Sequence, residues 1–196
     1  MLAAIAGFVS LSSAKAVLAA FDNEDFPEAL AVKVELLPVL FPVHMVTGGL
    51  ALLLVPLALA LSGRRRWHRP VARIAALDVL VAGLTAFPVA LVMPVTPGGA
   101  AGFSAQAAVW LALLGCGVWH IRHRRVAAHR ACMLLMLAVT SGAIFFRIYL
   151  AFWAIFAHGR QFELFYACDA WVAWLLPLAI TAFALKRSGP RRADTR

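Results

Sequence analysis

The chain has 196 residues, of which 63% are hydrophobic and only 14% charged, against roughly a quarter charged in an ordinary soluble domain. Six apolar segments of about 20 residues, each long enough for a hydrocarbon core of roughly 30 Å, exclude a soluble globule and indicate an all-α polytopic transmembrane bundle. The formal net charge of +9 does not indicate nucleic-acid binding, because the basic residues stand between apolar runs instead of covering one soluble face.

The first segment spans residues 2–20. It resembles a signal peptide in its small residues near Ala20, but no basic residue precedes the apolar run and Lys15 falls late in it. A retained helix is the expectation. Residues 22–37 form an acidic connection carrying Asp22, Glu24, Asp25, Glu28 and Glu35. The second segment covers 38–61, and an arginine-rich stretch from Arg64 to Arg73 follows it. The third covers 72–93. A breaker cluster, Pro94-Val95-Thr96-Pro97-Gly98-Gly99, separates it from the fourth, 103–121. The loop around Arg122, Arg124, Arg125 and Arg130 leads to the fifth, 131–156. A short connection through His158 leads to the sixth, 164–185, and a basic tail, 186–196, closes the single domain. Basic connections stay in the cytoplasm. Both termini are therefore expected inside, and the acidic connection outside, an inner membrane.

Ionisable residues inside a bilayer are costly and face the bundle interior. Four stand out: His44, Asp78, Arg147 and Asp169. Arg147 and Asp169 are each eleven residues from His158, so the hairpin reflects them to one depth, where an ion pair would relieve both burial costs. His44 lies at a similar depth, with Gly48 one turn below it leaving room for a neighbouring helix or a flat cofactor. Gln106 is expected to join this outer layer. Asp78 stands alone at its depth: it could pair with a loop arginine or be protonated, and as a proton-carrying carboxylate it would suit a transporter.

Toward the inner side lie His68, His120, His123 and His129. His129, Met133, Met136, Thr140 and Arg147 fall on one helical stripe, which could link the inner and outer layers or simply pack. Cys116, Cys132 and Cys168 form no close pair and read as small buried hydrophobes. Walker, HExxH, GxSxG and CxxC motifs are absent, which argues against familiar hydrolases.

Four stretches carry a resemblance: "HMVTGGLALLLVPLAL", "RRWHRPVARI", "VAAHRACM" and "FFRIYL". Together they resemble a bacterial family of predicted membrane proteins, the domain-of-unknown-function family 2306. The family's motifs fall on His44, on His68 with Arg69, on His129 with Arg130 and Met133, and on Arg147 with Tyr149. This resemblance implies a membrane protein and no particular reaction. More distantly, histidines at both membrane faces are similar to those of transmembrane dihaem cytochromes b. That likeness implies haem b on His68, His120 or His129 at the inner side, with His44 lacking a partner histidine at the outer.

Three functions are consistent with the residues: a haem-b redox protein with His44, His68, His120 and His129 as candidate ligands; a small proton-coupled carrier using Asp78, Arg147 or Asp169; and a non-catalytic subunit. Expected partners are the lipid bilayer and, through the apolar helix faces, another membrane subunit or a second copy. No metal site is readable.

Overall fold

A computed structural model describes residues 28–158 and 160–188, with side chains from residue 32 onward. The apolar segment 2–20 and the tail beyond 188 lie outside the described residues. Among those described there are six α-helices: α1 (Glu28–Leu36), α2 (Leu40–Ala60), α3 (Arg65–Leu91), α4 (Pro97–Arg122), α5 (Val126–Ala157) and α6 (Phe162–Ser188). The last five are long and apolar enough to cross a membrane, with mean hydropathy between 1.5 and 2.1 over their most apolar stretches.

The helices extend beyond the apolar segments that announce them. The acidic connection expected over 22–37 contains α1. The third segment, expected from residue 72, begins at Arg65, so the arginines, His68 and Pro70 occupy helical turns. Hydropathy marks only the stretch matched to hydrocarbon, whereas backbone hydrogen bonding continues into the interfacial turns. The breaker cluster is likewise half helix. Thr96 is the N-cap of α4, its Oγ1 accepting from the Gly99 amide at 2.9 Å, with Pro97 at the first helical position. Proline is suited there because its missing N–H would have no intrahelical partner.

Helices α2, α3, α4 and α5 pack in sequence, and α2 touches α5 to close the ring. Helix α6 seats against both α4 and α5. The closed ring encloses a core of Ala51, Val55, Val79, Leu114 and Met136. Large apolar residues such as Leu53, Leu77, Leu84, Ile180 and Phe183 face outward, as the bilayer requires.

Small residues set the close approaches. A Cβ on Gly102 would stand 2.9 Å from the Ala170 carbonyl oxygen, and one on Gly98 would stand 3.1 Å from the Ala167 Cβ. Gly142 lies against Trp174. Such contacts substitute for the hydrophobic drive that lipid removes.

Candidate functional site

Helix alternation brings Arg64–Arg73, Arg122–Arg130 and Lys186–Arg187 to one end of the bundle. His68 and His129 are each the fourth residue of a helix that starts at this end. His68 Nδ1 donates to the Ala58 carbonyl of α2 at 2.8 Å. His129 Nδ1 donates to the Gly117 carbonyl of α4 at 2.9 Å. A carbonyl can only accept, so Nδ1 carries the hydrogen in each ring and Nε2 keeps a lone pair. His120 belongs to the same end, and its Nδ1 is buried without a hydrogen-bond partner among the described residues. His123 is bound to its own helix at Trp119 O, 2.8 Å away. Its ring lies against Trp119, over which Arg125 also stacks.

At the opposite end, His44 faces the bundle interior, as its position in the sequence leads one to expect. Its Nδ1 donates to the Ala82 carbonyl of α3 at 3.1 Å and lies 3.3 Å from Thr85 Oγ1. Space remains beside Gly48, where an added Cβ would meet nothing within 4 Å. Two cations act on the His44 ring, Lys33 and Arg147. Lys33 donates from Nζ to the Val89 carbonyl at 2.8 Å. Burial pushes the Lys33 ammonium below the usual lysine range, since desolvation disfavours its charged form. Lys33 was not among the residues singled out from sequence.

The expected Arg147–Asp169 pair is not formed. Arg147 is exposed and turns along its own helix, donating from Nη1 to the Ala143 carbonyl at 2.8 Å. Asp169 is 3% exposed, and neither carboxylate oxygen has a hydrogen-bond partner among the described residues. Reflection about His158 fixes height but not azimuth. Arg147 acts toward α2, whereas Asp169 lies on the side of α6 next to Tyr149 and Trp153 of α5. Gln106 does not join the His44 layer either, since its Nε2 donates to the Val139 carbonyl at 3.1 Å.

The stripe below Arg147 is packing and not a polar conduit. The Met133 methyl lies against Gly117, Met136 is buried, and the Thr140 hydroxyl accepts from Trp110 Nε1 at 2.9 Å. Asp78 is 8% exposed, and its buried Oδ2 has no hydrogen-bond partner among the described residues. Among the described residues, no group of three or more His, Cys, Asp or Glu is placed to hold a metal ion.

A cleft of about 590 Å³ between α5 and α6 escaped the sequence reading. Tyr149, Phe152, Trp153 and Phe156 line it from α5; Phe165, Cys168, Asp169, Val172 and Leu176 line it from α6. The signal was present. The α5 residues are spaced by 3, 4 and 7, which places four aromatic rings on one helix face.

A family model described as "Predicted membrane protein (DUF2306)" matches residues 41–185, most of the chain. The chain belongs to this family. Together with five membrane-length helices, that makes this member of DUF2306 a multi-pass membrane protein. No curated protein and no solved structure matches it. The family boundary falls within α2 and just before the end of α6, so it includes the five long helices and leaves out α1.

Proposed function

We propose that this protein is a haem-b-binding redox protein of the bacterial inner membrane, with its arginine-rich end in the cytoplasm. One observation carries the reading: His68 and His129 stand one turn inside the same end of the bundle, and each has its Nδ1–H held by a main-chain carbonyl of another helix. That hydrogen bond fixes the tautomer and ring orientation and raises the basicity of Nε2, which is how outer partners prepare an imidazole for iron. The donor set suits haem iron, which accepts neutral imidazole nitrogen. Bound there, haem would supply one-electron chemistry. His120, with a ring nitrogen that has no hydrogen-bond partner among the described residues, is the third candidate at this end. The surrounding arginines offer counter-charges for the two propionates of haem b. On this reading His44, bound to Ala82, locks α2 to α3.

Purification in mild detergent, with oxidised and dithionite-reduced spectra and haem quantified, tests the proposal. Near-stoichiometric haem with a reducible b-type band is expected. H68A or H129A should lower haem content at least several-fold, while H123A keeps it. A spectrum without a Soret band, even after expression with added haem, would overturn the reading.

A second reading, a small proton-coupled carrier, is favoured by a different observation. Asp78 and Asp169 are buried carboxyls with oxygens that have no hydrogen-bond partner among the described residues, and in a bilayer such groups mark ion and substrate pathways. Flux into proteoliposomes that is lost in D78N or D169N, in a haem-free preparation, would select it.

A further inference from the structure

We infer that the cleft between α5 and α6 is a binding site for a lipophilic monocation, a hydrophobic body carrying one positively charged nitrogen or phosphorus, which pairs with Asp169. The inference does not depend on haem binding.

Asp169 is the one buried residue among those that line this cleft of about 590 Å³. Its carboxylate has no hydrogen-bond partner among the described residues, although it is almost fully removed from solvent. A buried carboxylate without a partner is among the costliest groups a bilayer protein can carry. Arg147, the cation at its depth, is engaged with Ala143 and does not reach it. A bound cation would supply the counter-charge that Asp169 lacks among the described residues.

The remaining walls suit such a guest. Tyr149, Phe152, Trp153, Phe156 and Phe165 line the cleft beside Asp169 with aromatic surface. Trp153 and Phe165 are stacked at 5.0 Å, a pre-formed double face. Aromatic faces attract a desolvated cation electrostatically, tryptophan most strongly. The cleft's volume falls in the range of about 300–1,000 Å³ common to sites for drug-sized molecules.

Entry is from the bilayer. At the loop end, Trp153 and Phe156 also border a recess with Arg160, whose charge repels a cation arriving from water. On the lipid side, Phe152 and Phe156 are 57% and 73% exposed, and a lipophilic ion concentrates in the membrane beside them.

The test uses the full chain in nanodiscs of zwitterionic lipid, with radiolabelled tetraphenylphosphonium as probe and empty discs as background. Saturable binding at one site per chain is expected. Triphenylphosphine oxide, neutral and similar in bulk, should compete at least about tenfold more weakly, as expected where a charge-assisted contact carries the affinity. D169N should weaken binding about as much, while E35Q leaves it unchanged. If D169N does not elute as a monodisperse peak, the lipid-facing variants F152A and F156A serve instead, each expected to weaken binding several-fold. Absence of saturable binding, equal affinity for the neutral probe, or D169N binding like the wild type would each overturn the inference. Haem content read on the same preparations separates this outcome from that of the redox proposal.

Discussion

At the scale of single residues, glycines show how one missing atom decides a contact. Gly102 and Gly115 both lie on α4. A Cβ at Gly102 would press on the Ala170 backbone, which cannot rotate aside, whereas one at Gly115 would meet nothing within 4 Å. G102L should therefore destabilise the protein by about 1–3 kcal/mol or more through overpacking. G115A should be neutral or stabilise by about 0.5–1 kcal/mol, since alanine loses less backbone freedom in a helix. Thermal unfolding in detergent, followed by tryptophan fluorescence, compares the two. Equal melting temperatures would sink the argument that α6 is seated by this glycine.

Lys33 supplies a pH dependence with a definite sign. Burial lowers its pKa from 10.5 in the folded protein, so the unfolded chain holds this proton more tightly. Stability then rises with pH across the interval between the folded value and 10.5, and the gain is complete above it. The melting temperature of wild type should rise relative to that of K33M as the pH is raised toward 10.5. A constant difference would mean that the ammonium is as well solvated in the folded state as outside it. Because Lys33 is only half-buried, the effect is screened by solvent and small.

Among the elements, the transmembrane helices were legible because roughly 20 apolar residues have few alternatives in lipid. Their ends were not legible to the same degree. The Arg65–Pro70 turn of α3 carries three arginines and a proline, so hydropathy placed it outside the helix. Pro97 and the two glycines after it read as a stop, yet with Thr96 capping they form a start. Helix α1 lay hidden because Glu28, Lys33 and Glu35 interrupt its apolar residues. Proline inside α2, α3 and α6, at Pro56, Pro88 and Pro177, gave no false boundary, because apolar sequence continues on both sides of each.

The molecule as a whole shows charge sorted by end. Every arginine-rich stretch within the described residues lies at the end where α3 and α5 begin, so the positive-inside rule makes one orientation favourable. Cysteine placed at Gly63 should react with a membrane-impermeant maleimide only after the cells are opened, and cysteine placed at Gln161 in intact cells with a permeabilised outer envelope. The reverse pattern would put the arginines outside and remove the orientation on which the redox reading depends.

Sequence alone determined the class of molecule, the order of its spans and the residues expensive enough to have a purpose. These follow from hydropathy, length and the cost of charge in lipid, which are properties of the chain read along its length. It also marked His44 as inward-facing, since an ionisable ring in hydrocarbon has nowhere better to go. Which side chains meet was decided only by the tertiary structure. Arg147 and Asp169 share a depth by simple counting, but Arg147 turns to the Ala143 carbonyl of its own helix and the two do not pair. His68 and His129 could be placed near one end from sequence, while the carbonyls of Ala58 and Gly117 that orient them belong to other helices. Depth in a membrane follows from residue number at 1.5 Å per step. Azimuth depends on how the helices rotate to pack their small residues, and that is settled by contacts far apart in the sequence.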